Sequence, residues 1–103
     1  MFPAAVYVIR LANEHDAATL LRLAALDSAR PLTGRVLIGE IDGRPAAALS
    51  LKTGAAVADP FQPTANLRVH MRMRAAAIGA VEREPSLRER MLDAVRRPGL
   101  SAA

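Results

Sequence analysis

The stretch RVLIGEIDGRPAAALSL, residues 35 to 51, constrains this chain more than any other, because Asp42-Gly43 stands between two apolar runs. That pattern is the strongest short-range signal for a β-hairpin, and it predicts strands over Val36 to Ile41 and Ala46 to Leu51. A hairpin needs something to cover its apolar face. With 103 residues the chain is one domain that builds one modest core. The 22 alanines and three aromatic residues make that core one of Leu, Ile, Val and Ala. Such side chains bury less area each than aromatic ones, which favours shared burial in an oligomer.

Around the hairpin the pattern extends in both directions. VYVIRLA, residues 6 to 12, reads as a first strand with Tyr7, Ile9 and Leu11 on one face and Val6, Val8 and Arg10 on the other. Asn13 offers an N-cap oxygen, and Glu14 and Asp16 sit where a helix dipole favours carboxylates. Ala17, Leu20, Leu21, Leu23 and Ala24 then give an apolar stripe that predicts a helix to about Ala29, closed by Pro31 and Gly34. After the hairpin, Thr53-Gly54 marks a turn and AAVAD a short third strand of a meander, beside which the first strand is free to pair.

Residues 67 to 74 carry two competing periods. Leu67, Val69, Met71 and Met73 alternate with Arg68, His70, Arg72 and Arg74, as a half-buried strand would; Leu67, Met71, Ala75 and Ile78 keep helical spacing. Length favours a helix from about Ala65 to Arg83, entered through Pro63 and Thr64. Glu84-Pro85 interrupts it, and Ser86 with Glu89 forms a capping box for a last helix that Arg96, Arg97, Pro98 and Gly99 stop. The expectation is one α/β domain of α+β type over residues 1–97, order β-α-β-β-β-α-α, with a loose tail over 98–103.

The absence of cysteine excludes disulfides, thiolate catalysis and cysteine-based metal sites, and suits a cytoplasmic protein. MFPAAVYVIRLA is too short an apolar run for a signal peptide, and Ala75 to Val81 is far below the roughly 18 residues a membrane span needs. The net charge of +4 is uneven. Residues 62 to 103 hold eight arginines against four acids, while 1 to 61 are balanced at six and six. A cationic face suits nucleic acid, anionic lipid or acidic partners, although thirteen arginines against one lysine also fit the codon bias of a GC-rich genome.

The order strand, helix, hairpin with Asp-Gly, third strand and helix resembles the N-terminal half of the GNAT acetyltransferase fold. IRLANEHDAATLLRLAALD is similar to the first strand and helix of that family, and IGEIDGRPAAALSL to its second and third strands, so the resemblance covers about residues 6 to 80. It implies an acetyl-CoA diphosphate held at the N-terminus of the helix after the third strand, where glycines let backbone amides approach. The corresponding stretch here is QPTANL. Gln62 matches the first position of the loop, but Ala65 and Leu67 stand at the glycine positions and Pro63 lacks an amide hydrogen. The family's C-terminal half also has no counterpart beyond the last capped helix. The resemblance therefore implies a half-domain whose cleft a homodimer would complete.

Candidate residues follow from these readings. Gln62, Thr64, the amides of Ala65 and Asn66, and nearby Arg68 are the candidate acetyl-CoA contacts. Glu40, late in the second strand, is the candidate general base, and Tyr7 a candidate acid. Arg68, His70, Arg72 and Arg74 form a candidate anion-binding face. His15 and His70 lack metal-ligand partners at useful spacing, so no metal is expected. No serine has the glycine-bounded elbow of a hydrolase nucleophile. The leading expectation is a non-catalytic structural or protein-interaction module that self-associates and needs no cofactor. Behind it stand an acyl-CoA-dependent N-acetyltransferase completed across a dimer, and an anion- or nucleic-acid-binding protein using the arginine-rich helices.

Overall fold

The computed structural model describes residues 5–83, so the helix expected from Ser86 to Arg97 and the tail over 98–103 lie outside the described residues. The elements are β1 (Tyr7–Leu11), a 3-10 turn (Glu14–Asp16), α1 (Ala17–Leu26), β2 (Val36–Ile41), β3 (Arg44–Ser50), β4 (Ala56–Ala58) and α2 (Ala65–Arg83). The strands form one antiparallel sheet in the order β1-β2-β3-β4. The molecule is an α+β domain with the element order expected through α2, and the stretch with two competing periods is helical. Length decides there: a strand pattern of eight residues is continued by an alanine-rich segment that has only helical spacing.

Asp42 and Gly43 both take positive φ, 50° and 82°, the type I′ geometry whose twist matches the flanking strands. The hairpin places Leu37 directly opposite Leu49. A bulge follows: Gly39 pairs with Ala47 but Glu40 with Pro45, leaving Ala46 as the extra residue. Pro45 is tolerated because β4 pairs only with Ala47 to Leu49, so no ladder needs its missing N–H, and its carbonyl accepts from Arg22 Nη2 at 3.2 Å. The Ala46 carbonyl accepts the amide of Asp59 at 2.8 Å, which fixes where β4 ends.

The helices cover opposite faces of the sheet. Leu67 and Met71 of α2 pack on Leu37, Ile41, Ala47 and Leu49, with Tyr7, Ile9 and Ala75 around them. Leu23 of α1 packs on Val36, Ala48 and Val57, with Leu20 and Leu32 at the margin. β2 and β3 are thus buried on both faces, and their small residues let two helices approach one thin sheet.

Helix α1 stops at Leu26, short of the expected end near Ala29. Ser28 takes φ 50°, the Ala29 amide donates to the Ala24 carbonyl at 2.8 Å and the Ser28 amide to the Ala25 carbonyl at 3.2 Å. This is a Schellman ending with serine where glycine is usual, so Pro31 and Gly34 lie beyond the stop. At the other end Asn13 and Asp16 form a capping box, but around a 3-10 turn that precedes α1.

Candidate functional site

The junction between β4 and α2 is built by one carboxylate. Asp59 Oδ1 accepts the amide of Phe61 at 2.8 Å and its Oδ2 accepts Gln62 Nε2 at 3.1 Å, so the chain reverses over Pro60 and Phe61 before Thr64. The Thr64 carbonyl takes the first helical amide, from Arg68, at 2.8 Å. A cleft of about 370 Å³ opens at this helix start. Gln62, Thr64, Ala65 and Arg68 line it together, whereas Asn66 lies outside its lining.

The cleft also holds two carboxylates that sequence reasoning missed. Asp27, from the end of α1, accepts the amide of Ala58 at 3.1 Å, and both Asp27 and Asp59 line the cleft. The Gln62 side chain and then the Phe61 amide hold the Asp59 carboxyl below its ordinary pKa, so it is anionic at neutral pH. A diphosphate at this helix N-terminus would face two acids and Pro63, with Arg68 the single cation among the described lining residues. The residues present do not fit the acyl-CoA diphosphate that the resemblance implies.

Glu40 and Tyr7 are separated by the sheet. Tyr7 packs with the cluster under α2. Glu40, next to core residue Ile41, points to the α1 face, where its Oε2 lies 3.5 Å from Arg10 Nη2. Arg10 makes a two-pronged pair with Asp16, both bonds at 2.8 Å, and Asp16 Oδ2 also accepts the Asn13 amide at 2.8 Å. The Arg10 hydrogen bond, and after it the Asn13 amide, pulls the Asp16 carboxyl down to about 2, while the Arg10 guanidinium is held protonated even more firmly than usual. This ion cluster ties β1 to the start of α1. The sequence placed Arg10 and Asp16 on known elements, but only the path of the chain brings them together.

The four residues of the expected anion-binding face divide between the two flanks of α2. Arg68 and Arg72 lie towards β3 and β4, beside Leu49 and Ala56. His70 and Arg74 lie towards β1, where they line a cleft of about 460 Å³ with Tyr7, Ile9, Met73 and Ala77. The Tyr7 and His70 rings stand 6.0 Å apart and tilted by 57°. Among the described residues no group of three or more His, Cys, Asp or Glu side chains could hold a metal ion, and no helix is long and apolar enough to cross a membrane. Comparison with protein-family models, with curated proteins and with solved structures finds no match to this chain.

Proposed function

We propose that this chain is a non-catalytic protein-interaction module of GNAT-like half-fold that self-associates and acts in the cytoplasm. The observation that carries this reading is the placement of the Asp27 and Asp59 carboxylates in the cleft where the resemblance would put an acyl-CoA diphosphate. Two further features support it. Glu40, the candidate base, is held by Arg10 on the α1 face, and Tyr7, the candidate acid, lies on the other face of the sheet. The absence of cysteine suits the cytoplasm.

The test is calorimetric titration of acetyl-CoA into the purified protein, with the mass measured by light scattering in the same buffer. The expected result is no binding heat and a mass above that of one chain. Micromolar, stoichiometric binding that Thr64→Pro abolishes would overturn the reading. It would favour an N-acetyltransferase instead, for which the shared lining of Gln62, Thr64, Ala65 and Arg68 is the supporting observation.

A further inference from the structure

The alternation of β1 determines which of its backbone groups are free. The Val6 carbonyl accepts the Asp42 amide and the Ala12 amide donates to the Val36 carbonyl, each at 2.8 Å. The pairs Tyr7 with Ile41 through Leu11 with Leu37 run between these two anchors. Even-numbered residues of this segment therefore bond to β2, and the amides of Tyr7, Ile9 and Leu11 face outward along the open side of the sheet. Among the described residues β1 is the edge strand there. An edge of this kind is a template for a further strand.

The same residues wall the cleft beside α2. Tyr7 and Ile9 line it with Met73 and Ala77, while His70 and Arg74 supply its polar rim, and among the described residues no acidic side chain lines it. The single acid of α2, Glu82, is paired with Arg35. A strand added to β1 would thus lay alternate side chains over an apolar floor and beside the exposed Arg74 guanidinium and His70. A second copy of this chain fits that edge poorly. Antiparallel pairing of two β1 strands about Ile9 would bring the Arg74 rims of both copies to the same side of the joint sheet.

We infer that the β1 edge and the Tyr7, Ile9, His70, Met73, Arg74 cleft bind an extended acidic segment of a partner protein by strand addition. Backbone bonds to Tyr7, Ile9 and Leu11 give the register, apolar side chains of the segment fill the floor at Ile9 and Met73, and a carboxylate meets Arg74. This deepens the interaction-module reading and rests on it. Self-association of the chain then uses a surface other than β1.

The experiment is fluorescence anisotropy with two labelled octapeptides, one repeating Val-Thr-Glu-Thr and one repeating Val-Thr-Lys-Thr, so that apolar and charged side chains share one face of the added strand, titrated with the full chain at about 0.01 M and about 0.15 M salt. The acidic peptide is expected to bind at least about tenfold tighter than the basic one, with the margin shrinking at the higher salt. Arg74→Glu changes an exposed side chain and should remove that preference. Leu11→Pro deletes an outward amide at a position 47% exposed, so β2 pairing survives, and it should weaken acidic-peptide binding several-fold. Circular dichroism confirms that both variants are folded. Equal binding of the two peptides, no binding of the acidic one, or a dimer that Leu11→Pro converts to monomer would each overturn the inference. Acetyl-CoA binding would instead strike at the interaction-module reading, so the two failures are distinguishable.

Discussion

Met71 Sδ lies 2.6 Å from the point where a Cβ on Gly39 would stand, and the two Leu67 methyl carbons lie 2.9 and 3.0 Å from it. The second strand carries glycine at the place where α2 crosses it, so the Leu67 and Met71 side chains of the helix lie directly against the strand backbone. A glycine in a strand interior normally weakens the strand; here its bareness is what lets Leu67 and Met71 become fully buried. Gly39→Ala is expected to overpack this contact and cost about 1–3 kcal/mol, measured as a fall in the urea midpoint at unchanged slope. The two sites are coupled. Met71→Ala should cost about 2–5 kcal/mol in the native background and distinctly less when Gly39→Ala is already present.

The pair between Arg10 and Asp16 predicts a direction for acid sensitivity. The Asp16 carboxyl is held at about 2, below its ordinary value of 3.8. A carboxyl depressed on folding stabilises the fold above its unfolded pKa and loses that contribution as pH falls through the folded one. Stability should therefore decline between about pH 4 and pH 2, and Asp16→Asn should flatten that decline. At neutral pH the same substitution is expected to cost about 1–2 kcal/mol, a moderate figure because the Arg10 side chain is 33% exposed. Urea unfolding of both proteins at several pH values checks each part.

Which features the sequence displayed depended on how far apart their causes lie. The Asp42-Gly43 hairpin was legible because turn chemistry and apolar alternation are adjacent along the chain. Helix α2 begins at its expected start, Ala65, since proline punctuation and helical spacing are also local. The stop at Ser28 was hidden because serine at positive φ leaves no compositional mark. The bulge at Ala46 depends on pairing across two strands. Asp27 reaches the cleft at the start of α2 across 31 residues of chain, by bonding the amide of Ala58. Spacing rules operate over a few residues and could not show that contact.

Ser28 offers a stabilising substitution. Its φ of 50° places an L side chain in the left-handed region, where glycine bears no steric cost. Both bonds of the Schellman ending are already formed, from Ala29 to Ala24 and from Ser28 to Ala25. Ser28→Gly should therefore raise stability by about 0.5–1 kcal/mol, seen as a melting temperature higher by a few degrees. Ser28→Val should lower it, because a β-branched side chain is poorly tolerated there.

Asp59 tests whether the junction before α2 is organised by its carboxylate or merely contains it. Two donors converge on that group, the Phe61 amide and the Gln62 side chain, and the Asp59 amide itself is spent on Ala46. Asparagine retains one oxygen for the Phe61 amide but loses the charge; alanine loses both. Melting temperatures are thus expected to fall in the order native, Asp59→Asn, Asp59→Ala, with the gap between native and Asp59→Asn closing as acid protonates the native carboxyl. That sign follows because Asp59 is depressed on folding, so its contribution exists above its unfolded pKa and disappears below. An Asp59→Ala variant as stable as the native protein, and newly able to bind acetyl-CoA, would mean that the carboxylate blocks a diphosphate site without shaping the turn. The junction would then be an occluded cofactor loop, whereas the expected order makes it a turn whose geometry Asp59 determines.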